Sequence, residues 1–514
     1  MAPAGEPTSD DEEIWGLLAG SAEEERPDDA AGAAEAQAQA AVPSGEAAAG
    51  AGGCCRAGGQ AEPQEQAACA SAAAAARPPT GGEAACCGAA APGPAPVLGP
   101  PGFRAAAARV ARIPAEILED PDINGAIARD LPATHDFEVH RTIWRLRRCG
   151  ARHVGLQMPE GLQGWATKLA DIVRQFVPSV ESTTILGDVT FGACCIDDLA
   201  ASALGVDFLV HYGHSCIVPT DQTTVATLYV HVEVQVDVEH LVDTVRHNFS
   251  PQKKIAIMGS VQFKTGMAEA AEQLRREFFA DPKHVSTPQV KPLGIGETLG
   301  CTSPHVGDVD AVVFVCDGRF HLESAMIQNP HVRDGFFRYD PGEFKLTREG
   351  FAHGQMHNIR RAAIEAAKGA SMVGLILGTL GRQGSPGVLE EVERLLERRG
   401  IPHLTLLVSE ISPERLALFQ DVGAWVQVAC PRLSLDWGEA YAAPLLTPYE
   451  AHVAFGDMAY KDVYPMDYYS NRGGPWSNYG AHNGHGGSLG KKFNHLRVRR
   501  YASIEYEEPE VLVH

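Results

Sequence analysis

The chain has 514 residues, with 65 Asp and Glu against 43 Lys and Arg and a formal net charge of −22. Such a balance repels phosphate backbones and speaks against nucleic-acid binding, and no apolar run is long enough to cross a membrane. The N-terminus is acidic where a leader would be basic, so a cytoplasmic protein, with the nucleus as a further location, is expected; its 12 cysteines would stay reduced and point to metal binding or packing rather than disulfides.

Residues 1–112 are mostly Ala, Gly, Pro, Gln and Glu, and the first fifty hold 12 acidic side chains against one arginine. That texture predicts a disordered acidic tail. Its Cys54, Cys55, Cys69, Cys86 and Cys87 match no C-x-x-C spacing and are expected to form no site. From Ile113 the pattern changes. Helical periodicity in PAEILEDPDINGAIARDL and HRTIWRLRRCG leads to the strand HVGLQMP and the helix GLQGWATKLADIVRQF; STTILGDV, DFLVHYGH and TLYVHVEVQVD complete a first α/β domain, 113–248. KKIAIMGSVQF, VSTPQVKPL and AVVFVCDG mark a second, 249–360, and MVGLILGTL, HLTLLVSE and AWVQVAC a third, 361–455. Continuous apolar strands separated by amphipathic helices predict parallel sheets covered on both faces. Residues 456–514 read as a mostly irregular Gly- and His-rich tail, mobile, with His482, His485 and His495 solvated.

An internal repeat supports this division. CGARHVGLQMP, 149–159, and KGASMVGLILG, 368–378, share Gly, Ala, Val, Gly and Leu in register, and each opens an α/β block.

Cysteines end several of the apolar runs. Cys194 and Cys195 precede the helix IDDLAASALG, where backbone N–H groups and the helix dipole lower a thiol pKa, against the opposing Asp197 and Asp198. Cys301 lies in a Gly-rich loop and Cys430 before Pro431; Cys216 and Cys316 end third strands and compete with them. Ligands of α/β sheets gather beyond the carboxyl ends of strands, where all of these fall. Structural zinc would draw on C-x-x-C pairs, which the chain lacks. In the loop GTLGRQGSP, Ser385 is a candidate N-cap with Pro386 at the first helical position; Gly378, Gly381, Arg382, Gln383 and Gly384 could cradle a carboxylate or phosphate. Gln157, Glu160 and Asp188 are candidates for holding a cofactor's amino group. His211 and His214 read as hydrogen-bonded core residues rather than metal ligands.

The stretches GDVTFGACCIDDLAASALGVDFLVHYGHSC, GETLGCTSP, DGRFHLESAMIQNP, GLILGTLGRQGSP and VQVACPRLSLDWG resemble the diphthamide synthase family over about Ile113 to Asp467. The resemblance implies three similar α/β domains in a pseudo-threefold arrangement, Cys194, Cys301 and Cys430 each contributing one ligand to a central [4Fe-4S] cluster. It further implies a transferase that moves the 3-amino-3-carboxypropyl group of S-adenosylmethionine to carbon 2 of a histidine of elongation factor 2 by a radical route, releasing 5′-methylthioadenosine. Arg382 would meet the cosubstrate carboxylate. A paralogous second subunit and a small iron-binding electron donor are the implied partners. The alternative within the family is a non-catalytic, cluster-bearing or scaffold subunit of the same heterodimer.

Overall fold

The computed structural model describes residues 113–479. The expectations for residues 1–112, including their five cysteines, and for His482, His485 and His495 lie outside the described residues.

A two-residue strand, β1 (His135–Asp136), precedes the first sheet, which comprises β2 (His153–Gln157), β3 (Ser182–Leu186), β4 (Phe208–Tyr212) and β5 (Ala226–Val230). All four run parallel in the order β3-β2-β4-β5. β6 (Glu233–Val234) then pairs antiparallel with β1. The second sheet holds β7 (Ile255–Gly259), β8 (Val285–Ser286), β9 (Ala311–Val315), β10 (Gly335–Asp340) and β11 (Lys345–Glu349), in the order β11-β10-β9-β7-β8. The third is β12 (Val373–Gly378), β13 (His403–Val408), β14 (Ala424–Val428) and β15 (Leu445–Leu446), parallel throughout in the order β13-β12-β14-β15. Each sheet therefore repeats one order: second strand, first, third, fourth.

The sequence repeat has a packing reason. Gly155 on β2 pairs with Leu209 on β4, and Gly374 on β12 with Trp425 on β14. A Cβ on Gly374 would fall 2.1 Å from the Trp425 ring, and one on Gly155 3.1 Å from Leu209 Cδ1. The small residue on the first strand makes room for the large one on the third.

Helices cover the sheets through apolar stripes. The helix Ala166–Phe176 buries Leu169, Ala170, Ile172, Val173 and Phe176, and Pro386–Arg399 buries Val388, Leu389, Val392, Leu395 and Leu396. Pro386, Pro431 and Pro448 each open a helix, where the missing N–H costs nothing.

Two expectations are corrected. The second sheet is not all parallel: β10 and β11 form an antiparallel hairpin at its edge; Arg338 and Asp340 interrupt the aromatic residues of β10, and β11 is polar and partly exposed, so neither shows a continuous apolar run. Residues 456–479 are not loose either, because Tyr464, Met466, Tyr468, Tyr469 and Trp476 are buried in one cluster with Tyr449 and Ile217.

Candidate thiol site

Cys194 follows β3 in a short 3₁₀ turn, Ala193–Cys195, that Gln157 braces from the end of β2. The Gln157 amide donates to Cys195 O at 2.9 Å, and its Oε1 accepts from Asp197 N–H at 3.0 Å and from His211 Nδ1 at 2.9 Å. Gln157 is thus a strut of the cysteine turn. Glu160 and Asp188 are exposed.

The GTLGRQGSP loop of the third sheet lies directly on this turn. Arg382 N–H donates to Cys194 O at 2.9 Å. Gly381, at φ +54, passes so close that a Cβ would sit 2.4 Å from Cys195 O. Arg382 Nε and Nη2 donate to the two Asp198 oxygens at 2.7 and 2.6 Å, so a cosubstrate carboxylate could be met only by Nη1 or by displacing Asp198. A Cβ on Gly384 would fall 2.3 Å from Gly378 O, and Gln383 is buried beneath the loop. Ser385 takes the N-cap position but makes no cap bond; its hydroxyl is buried and unpartnered.

Cys301 and Cys430 come to the same centre. The electrostatics of Cys194 include Cys195, Cys301 and Cys430, those of Cys301 include Cys430, and those of Cys430 include Cys195. A hydrogen bond to Cys195, then burial, then the neighbouring thiols push Cys194 well up; burial and Cys430 push Cys301 to about 12; burial pushes Cys430 to about 11. The expected lowering is absent at Cys194, where the hydrogen bond with Cys195 and burial raise the thiol, and present at Cys195, which its hydrogen bond with Cys194 and then the Gly192 and Phe191 backbone lower against burial. Arg432 opposes the rise at Cys301 and Cys430. Its guanidinium is held by Asp436 at 2.8 Å, Glu323 at 2.5 Å and Phe320 O at 2.7 Å, and stacks 4.4 Å from the Phe320 ring. Phe320 in turn presses on Gly300, where a Cβ would lie 2.0 Å from Cε1.

Cys216 and Cys316 have other surroundings. Cys216 is exposed, 3.8 Å from His231 Nε2, among Arg141, Glu297, Glu138 and Lys264; Cys316 donates to Gly318 O at 2.8 Å beside Asp317 and Arg338.

A group of imidazoles, His211 buried and His214 and His321 half-buried, adjoins the first two sheets. His211 and His214 stack with ring centroids 5.3 Å apart, and His214 lies in the field of His321. Burial lowers His211 well below its usual range and takes His214 and His321 to about 4. His211 Nε2 and His214 Nδ1 are buried without hydrogen-bond partners.

Arg432, Phe320 and Tyr469 escaped the sequence reading, and Asp198, read there only as a charge opposing a thiolate, is the partner of Arg382. The only available signal for Arg432 was its position two residues after Cys430. Tyr469 is buried beside Cys194 and Cys301, and nothing in its irregular segment marked it.

Residues 158–465 match the family model for diphthamide synthesis proteins. The chain is 48% identical over 380 residues to the Gallus gallus protein named 2-(3-amino-3-carboxypropyl)histidine synthase subunit 1, covering 73% of this chain and 90% of that one. Its identity to the Schizosaccharomyces pombe protein of that name is 50% over 377 residues, covering 72% and 85%. The chain belongs to the diphthamide synthesis family. Among solved structures, Dph2 from Pyrococcus horikoshii with a 4Fe-4S cluster aligns with TM-score 0.53 and 25% identity, over 65% of this chain and 93% of that one. Cys194, Cys301 and Cys430 all fall inside the family-matched region.

Proposed function

We propose that this member of the diphthamide synthesis family transfers the 3-amino-3-carboxypropyl group of S-adenosylmethionine to carbon 2 of a histidine of elongation factor 2, the first step of diphthamide formation, with release of 5′-methylthioadenosine. The observation that carries this reading is that the half-buried Cys194, Cys301 and Cys430 thiols of three α/β units lie within electrostatic reach of one another. The name shared by the relatives and the cluster in the Dph2 neighbour support it.

The donor set fits an iron–sulfur cluster. Three soft thiol donors without a fourth would suit a polynuclear core with one iron left without a protein ligand. Bound there, a [4Fe-4S] cluster would supply an electron and an open iron position, the means to break a carbon–sulfur bond of a sulfonium homolytically.

The chain's own residues would do the rest. Arg432 supplies positive charge that favours the thiolate forms of Cys301 and Cys430. The Gly378–Gly384 loop, joined to Cys194 O by the Arg382 N–H, would offer polar contacts for the cosubstrate's amino acid end. We assign the three units a pseudo-threefold arrangement, and the chain a heterodimer with a paralogous subunit fed by a small iron-binding electron donor, in the cytoplasm.

The test is product analysis. Anaerobic protein with its partner subunit, dithionite and S-adenosylmethionine should form 5′-methylthioadenosine; formation of 5′-deoxyadenosine instead would refute the bond cleavage proposed.

A further inference from the structure

The thiol site is closed on one side by a segment that belongs to none of the three sheets. Ser303 N–H donates to Met466 O at 2.8 Å, Tyr468 N–H to Cys301 O at 3.4 Å, and Tyr469 N–H to Thr302 Oγ1 at 2.9 Å. Thr302 Oγ1 in turn points at Cys301 Sγ from 3.8 Å. The backbone of residues 466–469 is thus fastened to the loop that carries Cys301.

This fastening fixes the ring of Tyr469, which is 4% exposed, beside Cys194 and Cys301. Tyr479 backs it with ring centroids 5.9 Å apart, its own hydroxyl bonded to Ile217 O. The Tyr469 hydroxyl is buried and closes a hydrogen bond with nothing, although it reaches toward the Cys194 thiol. Buried hydroxyls are seldom left unpaired without cause. A phenol is protonated at neutral pH, so it is a donor facing sulfur. Tyr469 lies four residues past the family-matched region, which ends at 465.

We propose that Tyr469 is a positioning residue for the iron–sulfur centre, its O–H donating to the Cys194 sulfur once that sulfur is a metal-bound thiolate. The inference rests on the cluster assigned under the proposed function. A hydrogen bond to a ligating sulfur stabilises the extra negative charge of the reduced state and so raises the reduction potential.

The experiment is a redox titration of anaerobic wild-type and Tyr469→Phe holoenzymes, followed by electron paramagnetic resonance, with iron and sulfide assayed first. Wild type without iron–sulfur content would sink the proposed function and with it this inference. With clusters present in both proteins, Tyr469→Phe should retain its iron and titrate at a more negative potential; an unchanged potential would overturn the inference while leaving the proposed function standing. Should the variant fail to hold iron, wild type with every tyrosine replaced by 3-fluorotyrosine decides: the stronger O–H donor must raise the potential, and no rise overturns the proposal.

Discussion

Arg382 and Asp198 join the third sheet's loop to the first sheet's cysteine turn through two hydrogen bonds of 2.7 and 2.6 Å. Asp198 is wholly buried, its side chain also accepts from Thr224 N–H, and Arg382 N–H donates to Cys194 O. Breaking a buried pair leaves one charge uncompensated, at about 3–5 kcal/mol. Arg382→Met and Asp198→Asn should each lower the urea midpoint strongly, and the double variant should lose less than the sum, because both changes remove the same contact. Additive losses in urea titrations would show that the two residues act independently.

Gly300 is small because Phe320 needs the space. Gly300→Ala should displace the ring, disturb the Arg432 stack and cost about 1–3 kcal/mol through overpacking, with loss of bound iron. Gly354→Ala, on the helix His353–Lys368 with open space around its Cβ position, should be neutral or mildly stabilising. Thermal melts and iron assays of both variants check this.

The imidazole group makes folding sensitive to acid. His214 and His321 titrate at about 4 when folded, against about 6.5 unfolded. Between those values the unfolded chain binds more protons, so this stability is fully present above pH 6.5 and drains as pH falls toward 4, by up to about 3 kcal/mol per histidine. Urea midpoints at pH 7, 6 and 5 should fall in that order, and His214→Asn with His321→Asn should flatten the slope. A slope unchanged by the double substitution would assign the acid sensitivity to other groups.

Cys194→Ala, Cys301→Ala and Cys430→Ala should each abolish iron binding and activity after anaerobic purification. Cys216→Ala should keep both, since its thiol is exposed among Arg141, Glu138 and Lys264. Equal loss in Cys216→Ala would mean that the first unit offers a different ligand.

The strands legible in the sequence are the continuous apolar ones, such as AVVFV and VGLILG, because a strand buried on both faces carries no competing pattern. The hairpin of FFRYD with KLTRE was hidden because Arg338 and Asp340 break the apolar run of its first strand and its second strand is polar and partly exposed. Sequence order brought Cys194, Cys216, Cys301, Cys316 and Cys430 equally to strand ends, and what distinguishes them is their neighbours in space. The partners of Arg382 and Arg432 lie 184 and 109 residues away, at Asp198 and Glu323, a separation that no local motif encodes. Tyr469 was illegible for the same reason: its environment is built by Thr302 and Cys194 from other units.

The most direct test is the iron and acid-labile sulfide content of anaerobically purified protein, read with its visible spectrum. About four of each per chain and broad absorbance at ~400 nm are expected. A colourless protein carrying stoichiometric zinc would contradict the iron–sulfur assignment.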